Sequence, residues 1–301
     1  MRRHSGGKAG HWSRTVAPAL RSLLLGGAAI LGAILVFRQG LLPLIDAAFH
    51  PDPGWLSAFR RAGILLSALG GYWAHVHWHE GRKAAELRLR PLPLLLGGLG
   101  GAALAALPIA ALFGLGAYQL VLVRGLAPGL LGAAVLILIA ATLEELVHRC
   151  LLFGVLERAW GTGVALVLQA VLFALPHLEN LKQGGARDVA AMLVSVSLLG
   201  LLWGTLYALT RNLWVVVAHH AAWNFTILLS GLPLSGNEDW RALAPLHSRY
   251  AGPDGLTGGL FGPESSLLLI AVVLAAVALL LRALYRRGAG PVPAESSPDR
   301  A

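Results

Sequence analysis

Charge is what this sequence has least of. Only 13% of its 301 residues are Asp, Glu, Lys or Arg, while 56% are hydrophobic; an ordinary soluble domain carries about a quarter charged residues. That shortage argues against a disordered chain, a fibrous repeat or a water-soluble enzyme, and for a membrane protein. Cysteine is nearly missing as well. Cys150 has no intrachain partner, so disulfides do not staple the fold. Acidic residues are few, 15 against 24 Lys and Arg, for a net charge of +9. Because the basic residues fall between apolar runs, they are expected to set orientation in a membrane, with no nucleic acid as partner.

Crossing about 30 Å of hydrocarbon takes roughly 20 helical residues. Eight apolar runs approach that length, at 18–37, 56–78, 92–115, 127–152, 162–180, 190–209, 212–231 and 265–285. The expected fold class is all-α, a polytopic membrane helix bundle of about eight spans. The first run follows Arg2, Arg3, Lys8 and Arg14. It is long for a signal-peptide core and no clear cleavage site follows, so it is expected to remain as an anchor. Most Lys and Arg then fall on one side: in the N-terminal segment, in 79–91, at Arg158 and Arg211, and at the C-terminal end. Both termini are therefore expected to be cytoplasmic. The expected division is 1–126, N-terminal spans; 127–231, a core carrying the chemistry; 232–264, an irregular extramembrane loop; and 265–301, the last span with a proline-bearing tail.

Ionisable side chains inside a span are costly and usually mark function. Three clusters qualify. The fourth run carries Glu144-Glu145-Leu-Val-His148-Arg149, the fifth Phe173-Ala-Leu-Pro176-His177, and the seventh His219-His220-Ala-Ala-Trp223-Asn224. Helical spacing stacks Glu145 on Arg149 and His220 on Asn224, and turns His219 about 100° away from His220. Pro176 frees a carbonyl beside His177, an irregularity that membrane depth tolerates only beside protein or a wet cavity. Counted from the nearest turns, the three clusters lie at compatible depths. A second group, His75-Val-His77-Trp-His79-Glu80, alternates every two residues. A helix would scatter these rings, so interfacial anchoring with Trp73 and Trp78 is preferred to a metal site.

A carboxylate, two imidazoles and a carboxamide can hydrolyse a peptide bond by activating water and stabilising an oxyanion. Glu144 is the candidate base, Arg149 the partner of Glu145, His177 a second ligand of the water, and His220 with Asn224 the oxyanion donors. Other protease chemistries lack their motifs. There is no His-Glu-x-x-His helix, no Gly-x-Ser-x-Gly elbow in a span and no aspartate at mid-span. Cys150 has no thiolate-activating set and is read as packing. The same residues also suit a proton- or cation-coupled transporter, although the chain has no paired halves, or a non-catalytic membrane immunity or scaffold protein.

In order and on separate spans, Glu-Glu-x-x-x-Arg at 144–149, Phe-x-x-x-His at 173–177 and His-x-x-x-Asn at 220–224 resemble the three motifs of the CPBP family, also called Abi or type II CAAX prenyl proteases. Leu202-Trp-Gly-Thr-Leu-Tyr207 and Arg211-Asn-Leu-Trp214 resemble the approach to its third motif, and the resemblance spans about 130–230. It implies an intramembrane glutamate-type endopeptidase of the inner membrane that cleaves near the anchored end of a lipidated or membrane-anchored protein. The implied catalytic residues are Glu144, Glu145, Arg149, His177, His220 and Asn224. The chain departs from the usual Phe-Arg-Gly ending of the first motif with His148-Arg149-Cys150. The family has also been described as metal-dependent. Ligand spacing does not favour a divalent metal here, apart from a possible Glu145–His148 pair, so no cofactor is expected.

Overall fold

The computed structural model of the protein describes residues 15–181 and 184–288. Arg2, Arg3, Lys8, Arg14, Lys182 and the tail prolines Pro291, Pro293 and Pro298 lie outside the described residues. Eight long helices follow one another. Helix α1 (Ala17–Phe49) passes through a π turn at Phe37–Leu41, and α2 (Pro53–Ala74) ends in another at His75–His79. After α3 (Pro91–Gly114), helix α4 (Leu130–Glu145) continues as a π-helical stretch, Leu146–Phe153. Helix α5 (Gly154–Ala174) is broken at Gly161, where φ is 83° and ψ 166°. Helices α6 (Ala186–Thr210), α7 (Leu213–Leu229) and α8 (Leu267–Arg286) complete the set.

Among the described residues, five helical stretches are long and apolar enough to cross a membrane: Ala17–Phe49, Pro91–Gly114, Leu130–Leu181, Ala186–Thr210 and Leu267–Arg286. The third of these holds both the fourth and the fifth expected runs, divided by the break at Gly161. Helix α7 is apolar but has 17 residues, and α2, with Arg60 and Arg61 near its start, is not among the five. Exposed leucines coat the outside, including Leu24 on α1, Leu107 on α3, Leu131 on α4, Leu172 on α5 and Leu279 on α8. An apolar coat around helices that satisfy their own backbone is what lipid requires. The protein is a multi-pass membrane helix bundle.

Within a bilayer, close helix packing needs small residues at the contact. Helices α3 and α7 meet in this way. A Cβ on Gly97 would lie 2.5 Å from the Val215 carbonyl oxygen, and one on Gly101 would lie 2.0 Å from that of His219. Two glycines one turn apart therefore bring α3 onto the backbone that presents His219 and His220. Helix α6 packs on both α5 and α8.

The segment expected to be an irregular loop is ordered. It contains strand β2 (Leu246–Tyr250), which pairs antiparallel with β1 (Tyr118–Val123) just beyond α3, with an irregularity between Leu120 and Leu122. A turn at Leu234–Asn237 and short helical turns around 239–265 complete it. Its polar groups are tied down: Ser248 Oγ donates to the Ser230 carbonyl at 2.6 Å, and Arg241 Nη2 donates to that of Ser248 at 2.7 Å. At the opposite end the start of α1 meets the end of α2, where Ser22 Oγ is 3.4 Å from His75 Nε2, and the end of α8 meets that of α6, where Arg287 donates to the Leu209 carbonyl.

Candidate active site

Glu144 and Glu145 close the regular part of α4, where the backbone passes into the π-helical stretch. A π turn is frequently a functional irregularity, because it re-aims the side chains that follow. The two neighbouring acids part company here. Glu145 is fully buried and Glu144 lines a cavity of about 150 Å³.

His177 lies just past α5 in the 3₁₀ stretch that Pro176 helps to form, and its Nδ1 pairs with the Phe173 carbonyl at 3.1 Å. A carbonyl only accepts, so Nδ1 carries the proton and the neutral ring keeps its Nε2 lone pair free. His220 and Asn224 lie one turn apart on α7. Glu144, His177, His220 and Asn224 all line the same cavity, together with Phe173 and Trp203. The structure thus brings the cavity-facing members of the three clusters together.

Behind them is a chain of charge. Arg149 Nε lies 2.9 Å from Glu145 Oε2, with both side chains entirely buried. Glu145 Oε1 lies 2.8 Å from His220 Nδ1, and His220 Nε2 lies 3.8 Å from Glu144 Oε2. The Arg149 guanidinium sits 4.5 Å from the centre of the Phe173 ring, a cation–π contact that helps compensate a buried charge. With Nδ1–H donating to Glu145, His220 has one tautomer and one orientation, and its Nε2 points at Glu144. Glu145 and Arg149 are thus linked to the cavity through His220.

His219 turns away, as its helical position predicts: its Nδ1 accepts from Trp203 Nε1 at 3.1 Å. The same indole stacks on His220 at 3.7 Å and 19°, so the pair of histidines grips Trp203 and fixes the plane of the His220 ring. His148 bonds back to the Glu144 carbonyl at 2.9 Å and packs on Phe173. Cys150 is buried.

Among the described residues, no three His, Cys, Asp or Glu side chains are placed to hold a metal ion. His148 and His177 pair Nδ1 with carbonyls, and His220 pairs Nδ1 with Glu145, which leaves Nε2 as the free nitrogen of each ring. In the His75–His79 group, the buried His75 stacks on His79 at 5.0 Å and lies 3.6 Å from Glu80, while His77 turns to stack on Trp73.

The cavity holds residues that the motifs do not name. Asn180, Ser235, Asn237, Trp240 and Glu264 line its roof, and all but Asn180 come from the segment between α7 and α8. Glu264 is 5% exposed, and burial pushes its carboxyl above the usual carboxylate range. Its signal in the sequence was faint: one acid inside Gly-Pro-Glu-Ser-Ser, just ahead of the last apolar run.

No curated protein matches the chain. Residues 126–226, about a third of the chain, match the family model described as "Type II CAAX prenyl endopeptidase Rce1-like". At the level of that family the match supports a membrane endopeptidase, a hydrolase. All four motif residues at the cavity lie inside the matched stretch, which is thus similar to the CPBP, or CAAX-protease, family that the three motifs resemble.

Proposed function

We propose that the protein is an intramembrane endopeptidase that hydrolyses a peptide bond near the membrane-anchored end of a protein substrate, using water activated by Glu144. The observation that carries this reading is that Glu144, His177, His220 and Asn224, contributed by three separate helical stretches, line one cavity inside the family-matched core.

Each role follows from an atom. Glu144 takes a proton from water as its oxygen attacks the scissile carbonyl carbon, and returns that proton to the leaving amine when the C–N bond breaks. The free Nε2 of His177 accepts the other water hydrogen and so orients the attack. A proton on Nε2 of His220 makes that ring a donor to the oxyanion, and the Glu145 carboxylate stabilises the resulting cation. The Asn224 amide N–H is the second donor; its Oδ1 is buried without a hydrogen-bond partner. Arg149 keeps Glu145 ionised. No cofactor takes part in this scheme.

The same reading takes the chain as eight spans in the inner membrane, divided at 126, 231 and 264, with both termini cytoplasmic. The arginine-bearing end, with Arg82, Arg88, Arg158 and Arg211, then faces the cytoplasm, and the cavity, roofed by the segment after α7, faces the opposite side. That placement favours the membrane tail of an exported protein over a cytoplasmic prenylated tail. In a Cys150→Ala background, a cysteine at Asn237 should react with an impermeant maleimide from the outer side. Labelling from the cytoplasmic side alone would contradict this orientation.

The deciding experiment is cleavage of quenched, lipid-anchored peptides in proteoliposomes. The wild-type and Cys150→Ala proteins should cleave, and Glu144→Gln should not. Cleavage by Glu144→Gln at the native rate would overturn the reading. A proton- or cation-coupled transporter, by contrast, would move ions without cutting any peptide.

A further inference from the structure

The proposed mechanism leaves one carboxylate of the cavity unused. Glu264 enters from the roof, and its delivery depends on an unusual backbone. Gly262 sits at φ 97°, where a Cβ would lie 2.4 Å from the Pro233 carbonyl oxygen, and Pro263 then starts the 3₁₀ turn that carries Glu264 inward. Glu264 Oε2 accepts from the Ser235 backbone N–H at 2.8 Å and from Ser235 Oγ at 2.7 Å. Ser235 itself is held at φ 49°, a strained position for a residue with a Cβ, and its carbonyl accepts from Asn180 Nδ2 at 2.9 Å. Strain held by neighbours in this way is characteristic of functional sites.

Beyond Ser235, the only further polar neighbours of the carboxyl are the indole N–H of Trp223 and the His220 ring among the described residues, and Asn224 Oδ1, also at the cavity, is buried without a hydrogen-bond partner. No Lys, Arg or His among the described residues pairs with Glu264, and the cavity lining contains two glutamates and no Lys or Arg. Arg149, the cation nearest in sequence to the first motif's acids, is turned to Glu145 and Phe173. A buried carboxyl without a Lys or Arg partner is costly to ionise, and a cationic guest restores the charge that burial disfavours. A cavity with two acids, two histidines but no Lys or Arg, and Phe173, Trp203 and Trp240 in its walls is complementary to a cationic group.

We propose that Glu264 is a specificity-determining residue, whose carboxyl at the cavity roof, with the aromatic wall, receives the ammonium or guanidinium group of a Lys or Arg close to the scissile bond. The same charge disfavours a substrate that must bring a free α-carboxylate into the cavity. This inference rests on the peptidase reading for its place in a reaction, and the acidic subsite itself is tested by binding alone.

The probes are short fluorescent peptides identical except for one central residue, Lys, Gln or Glu. Binding is read by fluorescence anisotropy on the full chain in nanodiscs, with Glu144→Gln present to prevent turnover. The Lys peptide should bind at least about tenfold tighter than the Gln peptide, with the Glu peptide weakest. Adding Glu264→Gln, which keeps an acceptor for Ser235 and so the fold, should collapse the preference to within about twofold. Adding Glu264→Asp, which keeps the charge, should preserve the order. Equal binding of the Lys and Gln peptides, or a preference that survives Glu264→Gln, would overturn the proposal. The two readings fail separately. Binding with the Lys preference but no cleavage by wild-type protein rejects the peptidase and keeps the acidic subsite. Cleavage by wild-type protein with no basic preference rejects the subsite and keeps the peptidase.

Discussion

The arginine-bearing end and the lining of the cavity treat buried polar groups in opposite ways. At the arginine-bearing end every buried acid has a cation or a hydroxyl. Arg82 closes on Glu80 at 2.6 Å and on Glu86 at 2.9 Å; Tyr72 donates to Glu86 and Arg158 to Glu80. Glu157 accepts from Arg211 at 2.8 Å and from Thr162 at 2.7 Å. Asn212 caps α7 and donates to the Arg88 carbonyl at 2.7 Å. At the cavity, Asn224 Oδ1 is buried without a hydrogen-bond partner, and Glu264 has no Lys or Arg beside it in the lining. A satisfied network holds helices together, whereas an unsatisfied one beside a cavity is poised for a guest. The contrast separates polar groups that hold the fold from those to which the proposed function assigns chemistry.

Substitutions sharpen or break this contrast. The largest stability effect is expected at Arg149→Leu, which leaves the Glu145 carboxylate buried and unpaired. It should cost about 3–5 kcal/mol, visible as a large drop in melting temperature in detergent, with cleavage lost because Glu145 no longer orients His220. A native melting temperature would show that the charge chain behind the cavity does not hold the fold. Gly101→Val comes next. Its side chain meets the His219 backbone, so α3 must back away, at a cost of about 1–3 kcal/mol. Cleavage should fall more steeply than stability, because the His220 ring moves with α7; equal losses would remove α3 from any role in positioning the site. The smallest effect is expected at the far end. Arg211 is about a third exposed, so Arg211→Gln should cost no more than about 1 kcal/mol and leave the cleavage rate within about twofold. A steep loss of rate there would erase the distinction between the two regions.

The sequence made part of this visible for a physical reason. Ionisable groups are expensive in lipid, so Glu144, Glu145, Arg149, His177 and His220 stand out against apolar runs, and helical spacing predicts that His219 and His220 face different ways. Pairing between distant helices leaves no such trace. The Glu145–His220 contact joins residues 75 apart, and neither position announces the other. Strand β1 was hidden because its residues, Tyr-Gln-Leu-Val-Leu-Val, form a short apolar stretch between the expected runs at 92–115 and 127–152, and its pairing with Leu246–Tyr250 leaves no local trace. Glu264 was hidden because its direction is set by the φ of Gly262 and the turn at Ser235, which no periodicity encodes. The number of spans stayed ambiguous at α2, where Arg60 and Arg61 dilute the apolar run, and at the Gly161 break.

Measuring rate and melting temperature together on two variants tests the central claim most directly. Glu144→Gln should lower the cleavage rate of a lipid-anchored peptide by about 10²–10⁴-fold and leave the melting temperature unchanged, while Arg211→Gln should leave the rate unchanged and lower the melting temperature slightly. A Glu144→Gln protein that still cleaves at the native rate would contradict the account.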